Sequence, residues 1–566
     1  MKRLFELPQL LFKIVFLVLV LWFSEPGVAG TYYVAVNGND QGEGSFSSPW
    51  RTVAFAVDQT SAGDTILVRG GTYRESLVWF RTNRRRRQSR QWHDWRRNRG
   101  MHRDPTIPRG GSPRDRHMYE AGDPTKVWVL KAYPGEEVIM ENDRPVRIQA
   151  PYVRVEGIHF KGTGVGVVNI NRGGGHHVEI VGNYFTGSGY RYGAISVSGD
   201  SILIEGNILE IEDQPGTQDH GIYLQQGRGN IIRNNFISGA TGYGIHLFCE
   251  QKGRRDAGGS FVIANALVEN NVITNSRLRS GMIVATGRGN TLAKDIVIRN
   301  NIIYKNKGNG IDLRRTINGL EIYNNTIYDN GLDGITLGFV AKRGGSVENV
   351  TIKNNIIQIS NRKQHHINSN PDVVVSNTVT VDHNLFWPGP AAVAELKASN
   401  NVIANPKFAD AARLDFLLSN NSPARDAGVD VGAAFRGKAP DLGAVELGEP
   451  KLADVHLNGL HAAAVGDVVN LNWRTVAEYL KVGFEVERSD AKHKEDYHKI
   501  GFVEGHGPKI AVQGYDFVDE GVPQGTYYYR LKKIDSNGNF AYTKSIKVKV
   551  KASEANSSKE KVTNGL

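Results

Sequence analysis

A histidine and a tyrosine occupy the same position in two successive short segments of similar sequence. The segments read HGIYLQQG (220–227) and YGIHLFCE (243–250), and the shared position holds Tyr223 and His246. Apolar residues flank this position, so a strand that buries them points the residue between them outward to solvent. Adjacent strands lie about 4.8 Å apart, so we expect Tyr223 and His246 to be neighbours. Further segments of this kind, YGAISVSG (192–199), SGMIVATG (280–287), NGIDLRRT (309–316) and DGITLGFV (333–340), add Ser196, Ile283, Asp312 and Thr336 to this outward column.

These residue types could remove a proton next to a carboxylate, as cleavage or epimerisation of a uronic-acid polymer requires. Such a reaction needs a base, a group that neutralises the carboxylate, and an acid. His246 suits the base because histidine titrates near neutral pH, and Tyr223 suits the acid. An arginine binds a carboxylate through its fork of donors, and the candidates for this role are Arg254, Arg255 and Arg314.

Neighbouring residues could complete this site. Asp219 and His220 lie at the mouth of the same repeat and are predicted to contribute to catalysis or to orient the other groups. Gln225, Phe248 and Asp312 share the outward face and are predicted to contact the substrate. The alternative is that tyrosine and histidine occur on these strands only because they suit exposed strand positions.

Two other chemistries remain open. Calcium-assisted elimination would use Lys or Arg as the base and several oxygen ligands from flexible loops. Glu210, Glu212 and Asp213 lie close in sequence and, with Asp219, could bind Ca²⁺, although a solvated acidic loop is the alternative. A hydrolase would need several aspartates at adjacent outward positions, and only Asp312 qualifies, so this reaction ranks third.

The elements that must position these residues are repeats. Eight segments follow the pattern V-x-I-x-[NG]-N-x-I, which alternates apolar and polar residues as a strand does. A repeat of this length must stack on its neighbours to bury its apolar face. The aligned asparagines are Asn183, Asn207, Asn235, Asn271, Asn301, Asn325, Asn355 and Asn384. Such side chains can bond to one another at one turn of every rung, so we predict an all-β protein built on a right-handed parallel β-helix with an asparagine ladder.

The start of this region carries several motifs in close succession. They are Tyr32-Tyr33-Val34, NGND (37–40), PWRT (49–52) and GTYRE (71–75), with a short amphipathic helix predicted at Thr52–Gln59. A solenoid needs such a cap, because its first rung would otherwise expose apolar side chains to water. This stretch resembles the N-terminal cap of secreted right-handed β-helix proteins of the pectate-lyase-like superfamily, and with the rungs the resemblance covers 31–447.

The resemblance implies the fold but not the reaction, because the superfamily includes lyases, hydrolases, epimerases and non-catalytic proteins. Sets of His, Tyr and Arg occur in β-helix alginate lyases and mannuronan epimerases, and pectate lyases provide the precedent for calcium. The Asp-Pro-His-Asp signature of the epimerases is absent here, since 218–223 reads Gln-Asp-His-Gly-Ile-Tyr.

The repeats stop before residue 451. Residues 451–551 contain about seven short alternating segments, which predict a small antiparallel β-sandwich after the solenoid. The segments LNW (471–473), GFEVERS (483–489) and 527–535 resemble the fibronectin type III-like module of secreted bacterial proteins. Residues 552–566 are predicted to be a disordered tail.

The N-terminus indicates export. Lys2 and Arg3 precede the apolar run LLFKIVFLVLVLWF, and small residues end the segment, so 1–30 is predicted to be a signal peptide. An uncleaved membrane anchor is the alternative. We therefore expect a secreted or cell-surface protein, or a periplasmic one, without a transmembrane segment after cleavage. Cys249 is the only cysteine, so no internal disulfide can form.

The positive charge is concentrated in one segment. The formal net charge is +11, and residues 81–122 hold 13 Arg, no Lys and 4 acids, which leaves about +2 for all the rest. The segment has no period, few aliphatic residues and no recognisable nucleic-acid-binding module, so no nucleic-acid partner is predicted. A disordered insertion, a basic flap that attracts a polyanion, and a reading-frame error each account for its composition.

Together these features predict a monomeric carbohydrate-active protein that acts on an acidic polysaccharide by β-elimination or C5-epimerisation. Calcium is the cofactor that the alternative chemistry would need. The rival prediction, from a different class, is a non-catalytic β-helix protein that binds glycan at the cell surface or in the matrix.

Overall fold

The computed structural model describes most of the chain, with gaps. The described residues are 29–75, 78–81, 123–141, 144–168, 175–187, 193–211, 218–250, 261–338, 345–361, 363–374, 376–393, 396–446, 456–476, 482–506, 513–535 and 540–551. The predicted signal peptide (except 29–30), all but Arg81 of the arginine-rich segment 81–122, and the tail 552–566 lie outside them. In the described part, no helix is long and apolar enough to cross a membrane.

A short helix precedes the first rungs, as the sequence predicted. It spans Val53–Gln59, and the Thr52 side chain caps it by accepting a hydrogen bond from the Phe55 N–H at 3.2 Å. Glu75, from the GTYRE motif, accepts hydrogen bonds from the N–H groups of Val53 and Ala54, both at 2.7 Å. This carboxylate satisfies donors that a helix start leaves unpaired, which explains why the two motifs occur together.

Three parallel sheets, of 15, 12 and 10 strands in the described part of the chain, form the predicted right-handed β-helix. Sheet A contains Thr31–Val34, Thr65–Val68, Trp128–Ala132, Val153–Glu156, Glu179–Val181, Leu203–Glu205, Gly227–Arg228, Ile231–Arg233, Phe261–Ala264, Leu267–Glu269, Thr291–Arg299, Ile317–Tyr323, Val347–Lys353, Val379–Asp382 and Ala398–Ser399. Sheet B contains Gly71–Tyr73, Val138–Met140, His159–Lys161, Tyr184–Gly187, Ile208–Ile211, Phe236–Ser238, Val272–Thr274, Ile302–Tyr304, Thr326–Tyr328, Ile356–Gln358, Leu385–Trp387 and Val402–Ile403. Sheet C contains Trp79–Phe80, Val146–Ile148, Val165–Val168, Gly193–Ser198, His220–Leu224, Ile245–Cys249, Met282–Thr286, Ile311–Arg314, Ile335–Leu337 and Ile367–Ser369. Inward Ile, Val, Leu and Phe side chains from all three sheets form one continuous core.

The asparagine ladder runs along the turn between sheets A and B, and Asn301 shows its pattern. The Asn301 Nδ2 donates to the carbonyls of Val268 and Arg299, both at 2.9 Å, and to Oδ1 of Asn325 at 3.0 Å. The Asn301 Oδ1 accepts from the backbone N–H of Asn271 at 3.0 Å. Equivalent bonds link all eight predicted asparagines, which are fully buried, and Asn401 extends the ladder by one rung.

The residue before each ladder asparagine takes the left-handed conformation. Its φ is 61° at Gly182 and 55° at Asn300, which explains the [NG] position of the repeat, because Gly and Asn tolerate this backbone. A second, shorter ladder at the next turn, which the sequence reading missed, joins Ser276, Asn306 and Asn330.

The segment after the last rungs covers part of sheet B. It contains the strands Phe408–Asp410 and Asp415–Leu418 with a 3₁₀ turn at Ala411–Arg413 between them. Another 3₁₀ turn, Ser376–Thr378, lies earlier, before the strand Val379–Asp382. Phe416, Ala444 and Val445 pack on outward apolar residues of sheet B, such as Ile302. The outer face of sheet B is therefore partly buried by this later segment of the same chain.

The C-terminal strands are antiparallel, as predicted, and form two sheets around one core. The three-stranded sheet contains His456–Val465, Val468–Val476 and Gln513–Asp519. The five-stranded sheet contains Val482–Asp490, His498–Glu504, Gly525–Asp535, Phe540–Tyr542 and Ile546–Val550. The core between them includes Trp473, Phe484 and Tyr529.

Candidate active site

The register of sheet C confirms the predicted column. Tyr223 lies opposite His246, and the pairing continues through Ile283 and Asp312 to Thr336. The rings of Tyr223 and His246 have centroids 4.9 Å apart. The prediction that this column faces solvent is wrong, since Tyr223 is 5% exposed and Asp312 is 0% exposed. Tyr243, from the turn before the strand Ile245–Cys249, packs with Ile283 and Ala285 on this face of the sheet. In the Tyr223–His246 pair, only His246 keeps part of its side chain accessible.

A chain of hydrogen bonds fixes the protons of two histidines. The backbone N–H of Tyr243 donates to Nδ1 of His220 at 3.0 Å, so the His220 proton must be on Nε2. The His220 Nε2 lies 2.9 Å from Nδ1 of His246 and therefore donates to it. It follows that the neutral His246 carries its proton on Nε2 and is a hydrogen-bond donor at that atom.

Both histidines are held neutral. Burial, with the charge of Arg279 nearby, lowers the pKa of His220 to about 4. Burial also lowers the pKa of His246 well below its usual value, and His220, Arg314 and Arg279 add to the effect. Protonated His246 would point a second N–H at the donor of His220, so the geometry and the charges agree.

Gly242 makes the position of His220 possible. A Cβ atom at Gly242 would lie 2.3 Å from Nδ1 of His220, which is far inside contact distance. Only glycine at this position lets the following N–H, that of Tyr243, reach the ring. The ring of Tyr243 also stacks on His220, with centroids 5.5 Å apart.

Tyr223 has an acidic neighbour that the sequence reading missed. Its hydroxyl donates to Oε1 of Glu250 at 3.2 Å. Glu250 follows the strand Ile245–Cys249 directly, at the end of the strand that carries His246. A carboxylate and a phenol at this distance can exchange a proton.

Arg314 lies beside the cluster and is bound to Asp312. The Arg314 Nε donates to Oδ2 of Asp312 at 2.9 Å, and the Thr336 hydroxyl donates to Oδ1 of Asp312 at 3.0 Å. Asp312 was predicted to contact substrate, but it is buried and both its oxygens are occupied. It therefore positions Arg314.

The remaining predicted residues differ in their distance from the cluster and in their burial. Phe248 lies next to His246, with ring centroids 5.2 Å apart, and Gln225 is half-buried on the neighbouring strand. Asp219 is buried at the start of its strand, and this burial raises the pKa of its carboxyl. Arg254 lies outside the described residues, and so does Arg255.

Of the predicted calcium ligands, the structure describes Glu210 and Asp219, and these two lie at different sheets. Glu210 lies on sheet B, where it accepts a hydrogen bond from the Tyr184 hydroxyl at 2.6 Å, whereas Asp219 precedes a strand of sheet C. Glu212 and Asp213 lie outside the described residues. Among the residues that the structure does describe, no three His, Cys, Asp or Glu side chains are grouped as metal ligands.

A cavity of about 640 Å³ lies at the edge of sheet B beside Glu210. Arg277, Lys305 and Lys307 line it, together with the Tyr184–Glu210 pair. These cations follow the second strand of successive rungs, so an alignment of the turns after sheet B could have found them. Glu250, Tyr243 and Arg279 could not be found in this way, because their roles depend on how the turns fold over sheet C.

The chain resembles known proteins mainly in its β-helix. A family model described as "Pel9A-like, right handed beta helix region" matches residues 32–355. The uncharacterized protein YwoF of Bacillus subtilis (strain 168) is 22% identical in an alignment 484 residues long, which covers 71% of this chain and 93% of that protein. Pectate lyase PEL9 of Emericella nidulans is 44% identical over 46 residues, which are 8% of this chain and 11% of that enzyme.

Solved structures resemble the chain only distantly. The complex of XylC with xylose is 12% identical, covers 86% of this chain and all (100%) of that chain, and has a TM-score of 0.38. The PL6 family polysaccharide lyase Pedsa3628 from Pseudopedobacter saltans is 14% identical, covers 62% of this chain and 95% of that chain, and has a TM-score of 0.27. At these scores the two likenesses carry no argument about function.

Proposed function

The chain belongs to the Pel9A-like right-handed β-helix family, and we propose that it acts on an acidic polysaccharide by β-elimination or C5-epimerisation. The observation that supports this proposal is the convergence of His220, Tyr223 and His246 on sheet C, beside Arg314. These groups can bind a carboxylate and transfer a proton. A short match to an enzyme named pectate lyase favours a polysaccharide substrate.

In this proposal each group has one task. His246 donates its Nε2–H to the substrate carboxylate, and Arg314 supplies positive charge nearby. Glu250 takes the proton from the carbon next to the carboxylate, and in elimination Tyr223 is the acid. The base role that the sequence suggested for His246 passes to Glu250, because the backbone N–H of Tyr243 keeps the histidine pair in its donor tautomer.

The steps balance for both reactions. The C5–H bond breaks as Glu250 takes the proton, and the electron pair moves toward the carboxylate. In elimination the C4–C5 double bond forms, the bond from C4 to the leaving oxygen breaks, and that oxygen takes the proton of Tyr223. In epimerisation C5 takes a proton from water on its opposite face, because Tyr223 is hydrogen-bonded to Glu250 and lies on the same face as that base. Glu250 then gives its proton to the hydroxide that remains. After elimination, Glu250 instead returns its proton to Tyr223, 3.2 Å away.

The test is turnover of uronic-acid polymers by the purified chain. Alginate, pectate and glycosaminoglycans are supplied with calcium and, separately, with EDTA, and the ultraviolet absorbance of the unsaturated product is followed. Proton NMR of the polymer in deuterated water detects epimerisation, because C5 then gains deuterium. If no polymer gives either the absorbance or the deuterium signal, the enzymatic proposal is refuted. Loss of activity in EDTA would refute the metal-free assignment of roles.

Two substitutions of His246 distinguish a hydrogen-bond donor role from a base role for this residue. His246→Gln keeps an N–H that can bind the carboxylate, so we expect it to retain at least about tenfold more activity than His246→Ala. If His246 were the base, both variants would be equally inactive. His365→Ala, at a half-exposed histidine of a later turn, is the matched control and should keep full activity.

A non-catalytic glycan-binding protein is the second candidate, and one observation favours it. Tyr223 is nearly buried, so a substrate reaches it only if the turns over sheet C move. Under either function we propose that the protein is exported through the signal peptide 1–30 and is a monomer. We also propose that residues 31–447 are the β-helix with its insertion at 81–122, that 451–551 are a fibronectin type III-like module, and that 552–566 are a disordered tail.

A further inference from the structure

We propose that the outer face of the five-stranded C-terminal sheet is a second binding surface for the acidic polysaccharide. Three of its aromatic side chains are unusually open to solvent: Phe502 is 48% exposed, Phe540 57% and Tyr542 46%. Exposed aromatic groups of this size on one face of a small domain mark an interaction site. The nature of the polymer rests on the proposed function, whereas the binding surface itself does not.

Strand alternation puts these groups on one face. In Gly525–Asp535 the side chains of Tyr529 and Leu531 enter the core, so Arg530 and Lys532 point outward. Lys532 pairs with Tyr542 on one side and Glu485 on the other, and Glu485 pairs with Phe502. This row crosses four strands and spans about 15 Å, which suits an extended chain lying across the sheet.

The cations of this face are held against aromatic rings. The Arg530 guanidinium lies 3.9 Å from the ring centroids of both Tyr497 and Tyr542, and its Nε donates to Glu487 at 2.7 Å. The Lys532 Nζ is 4.8 Å from the centroid of Phe540. Because these side chains are already ordered, a ligand loses less of its binding energy to fixing them.

The charge of the face fits a sparsely charged polyanion. Its outward cations are Lys494, Lys499, Arg530, Lys532, Lys547 and Lys549. Two carboxylates, Glu485 and Glu487, lie among them and pair with Lys499 and Arg530. The positive excess attracts uronates, and Glu485 can accept hydrogen bonds from sugar hydroxyls. The same carboxylates would repel the closely spaced phosphates of a nucleic acid.

Among the described residues, contacts with the β-helix come from the other C-terminal sheet and from Ile546, whose side chain points into the core between the two sheets and not onto the aromatic face. His461 pairs with Gly135 in an isolated bridge, and the Arg474 guanidinium lies 4.7 Å from the ring centroid of Tyr184. Both come from the three-stranded sheet, so the aromatic face remains open in the described part of the chain. A polymer bound there would stay attached to the protein while the β-helix engages another part of it.

The test is binding of polygalacturonate and alginate by the full mature chain, with dextran and duplex DNA as comparison ligands. Tyr542→Ala and Lys532→Gln should each weaken the affinity for the acidic polymers at least about fivefold, and salt should weaken it further. Val518→Ala, at an equally exposed apolar position (49%) of the other sheet, should bind as the wild type. Circular dichroism verifies that each variant is folded.

The outcomes separate this proposal from the catalytic one. In a His246→Ala background, which lacks turnover, Tyr542→Ala should weaken the affinity for polymer by the same factor as in the wild type, which isolates the second surface. Unchanged affinity in both face variants would overturn the proposal, and so would binding of DNA in preference to uronates. Loss of self-association in Tyr542→Ala, seen by light scattering, would instead identify the face as a contact between copies and would also overturn it.

Discussion

Replacing Asn301 by alanine should cost about 2.5–7.5 kcal/mol of the free energy of unfolding. The substitution removes the donors to the carbonyls of Val268 and Arg299 and to Oδ1 of Asn325. It also leaves the backbone N–H of Asn271 buried without its acceptor, which alone costs about 1–3 kcal/mol. Each lost hydrogen bond adds about 0.5–1.5 kcal/mol, and the sum gives the range stated.

Guanidinium unfolding followed by far-ultraviolet circular dichroism measures this cost, and two controls test its cause. Asn401→Ala, at the half-exposed end of the ladder, should cost about 1 kcal/mol, because water can replace the lost acceptor. Asn318→Ala, at an exposed position of sheet A, should change stability by no more than about 0.5 kcal/mol. A cost at Asn301 no larger than at Asn318 would refute the reasoning.

Hydrogen exchange locates the damage. In a solenoid each rung contacts only its neighbours, so the amides of the two rungs beside Asn301 should exchange faster, while the N-terminal rungs near the helix Val53–Gln59 keep their protection. Uniform acceleration along the β-helix would show that the ladder acts globally and would contradict the local account.

Three further predictions concern the candidate site. His220 has a pKa of about 4 in the folded chain against 6.5 unfolded, so its contribution of roughly 3 kcal/mol to the free energy of unfolding is complete above pH 6.5 and is lost as the pH falls to about 4. In His220→Phe the free energy of unfolding should therefore depend less steeply on pH between about 4 and 6.5, and a slope equal to that of the wild type would contradict this prediction. Asp312→Asn leaves the charge of Arg314 unpaired and should lower the free energy of unfolding by about 2–4 kcal/mol, whereas a stable variant would show that the pair is unimportant. Gly242→Ala should displace His220 and reduce activity at least about tenfold without unfolding the chain, while Gly514→Ala, where an added Cβ meets nothing within 4 Å, should match the wild type.

The architecture could be predicted because its causes are local and periodic. The repeat places an asparagine at the same turn in each rung, and side chains stacked one rung apart can satisfy only each other and the backbone beside them. The pairing of Tyr223 with His246 follows from the same spacing, since a parallel register is fixed once the rungs are aligned.

The chemistry of the site depended on residues in the turns beside sheet C whose positions no repeat pattern predicts. Solvent exposure was predicted for the column on sheet C, yet Asp312 is buried and paired with Arg314 and Thr336, and a turn brings the N–H of Tyr243 against His220. Alternation along a strand tells which face a side chain takes, but not what covers that face.

By itself, the sequence determined the β-helix, its ladder, its N-terminal cap, the antiparallel C-terminal strands and the pairing of Tyr223 with His246. Only the tertiary structure decided the proton positions of the histidines, the partnership of Tyr223 with Glu250, and the separation of Glu210 from Asp219. The physical reason is the range of the interactions. Repeating strands form their hydrogen bonds with the next rung, whereas the position of a buried proton and the state of a buried charge depend on groups that distant turns bring into contact.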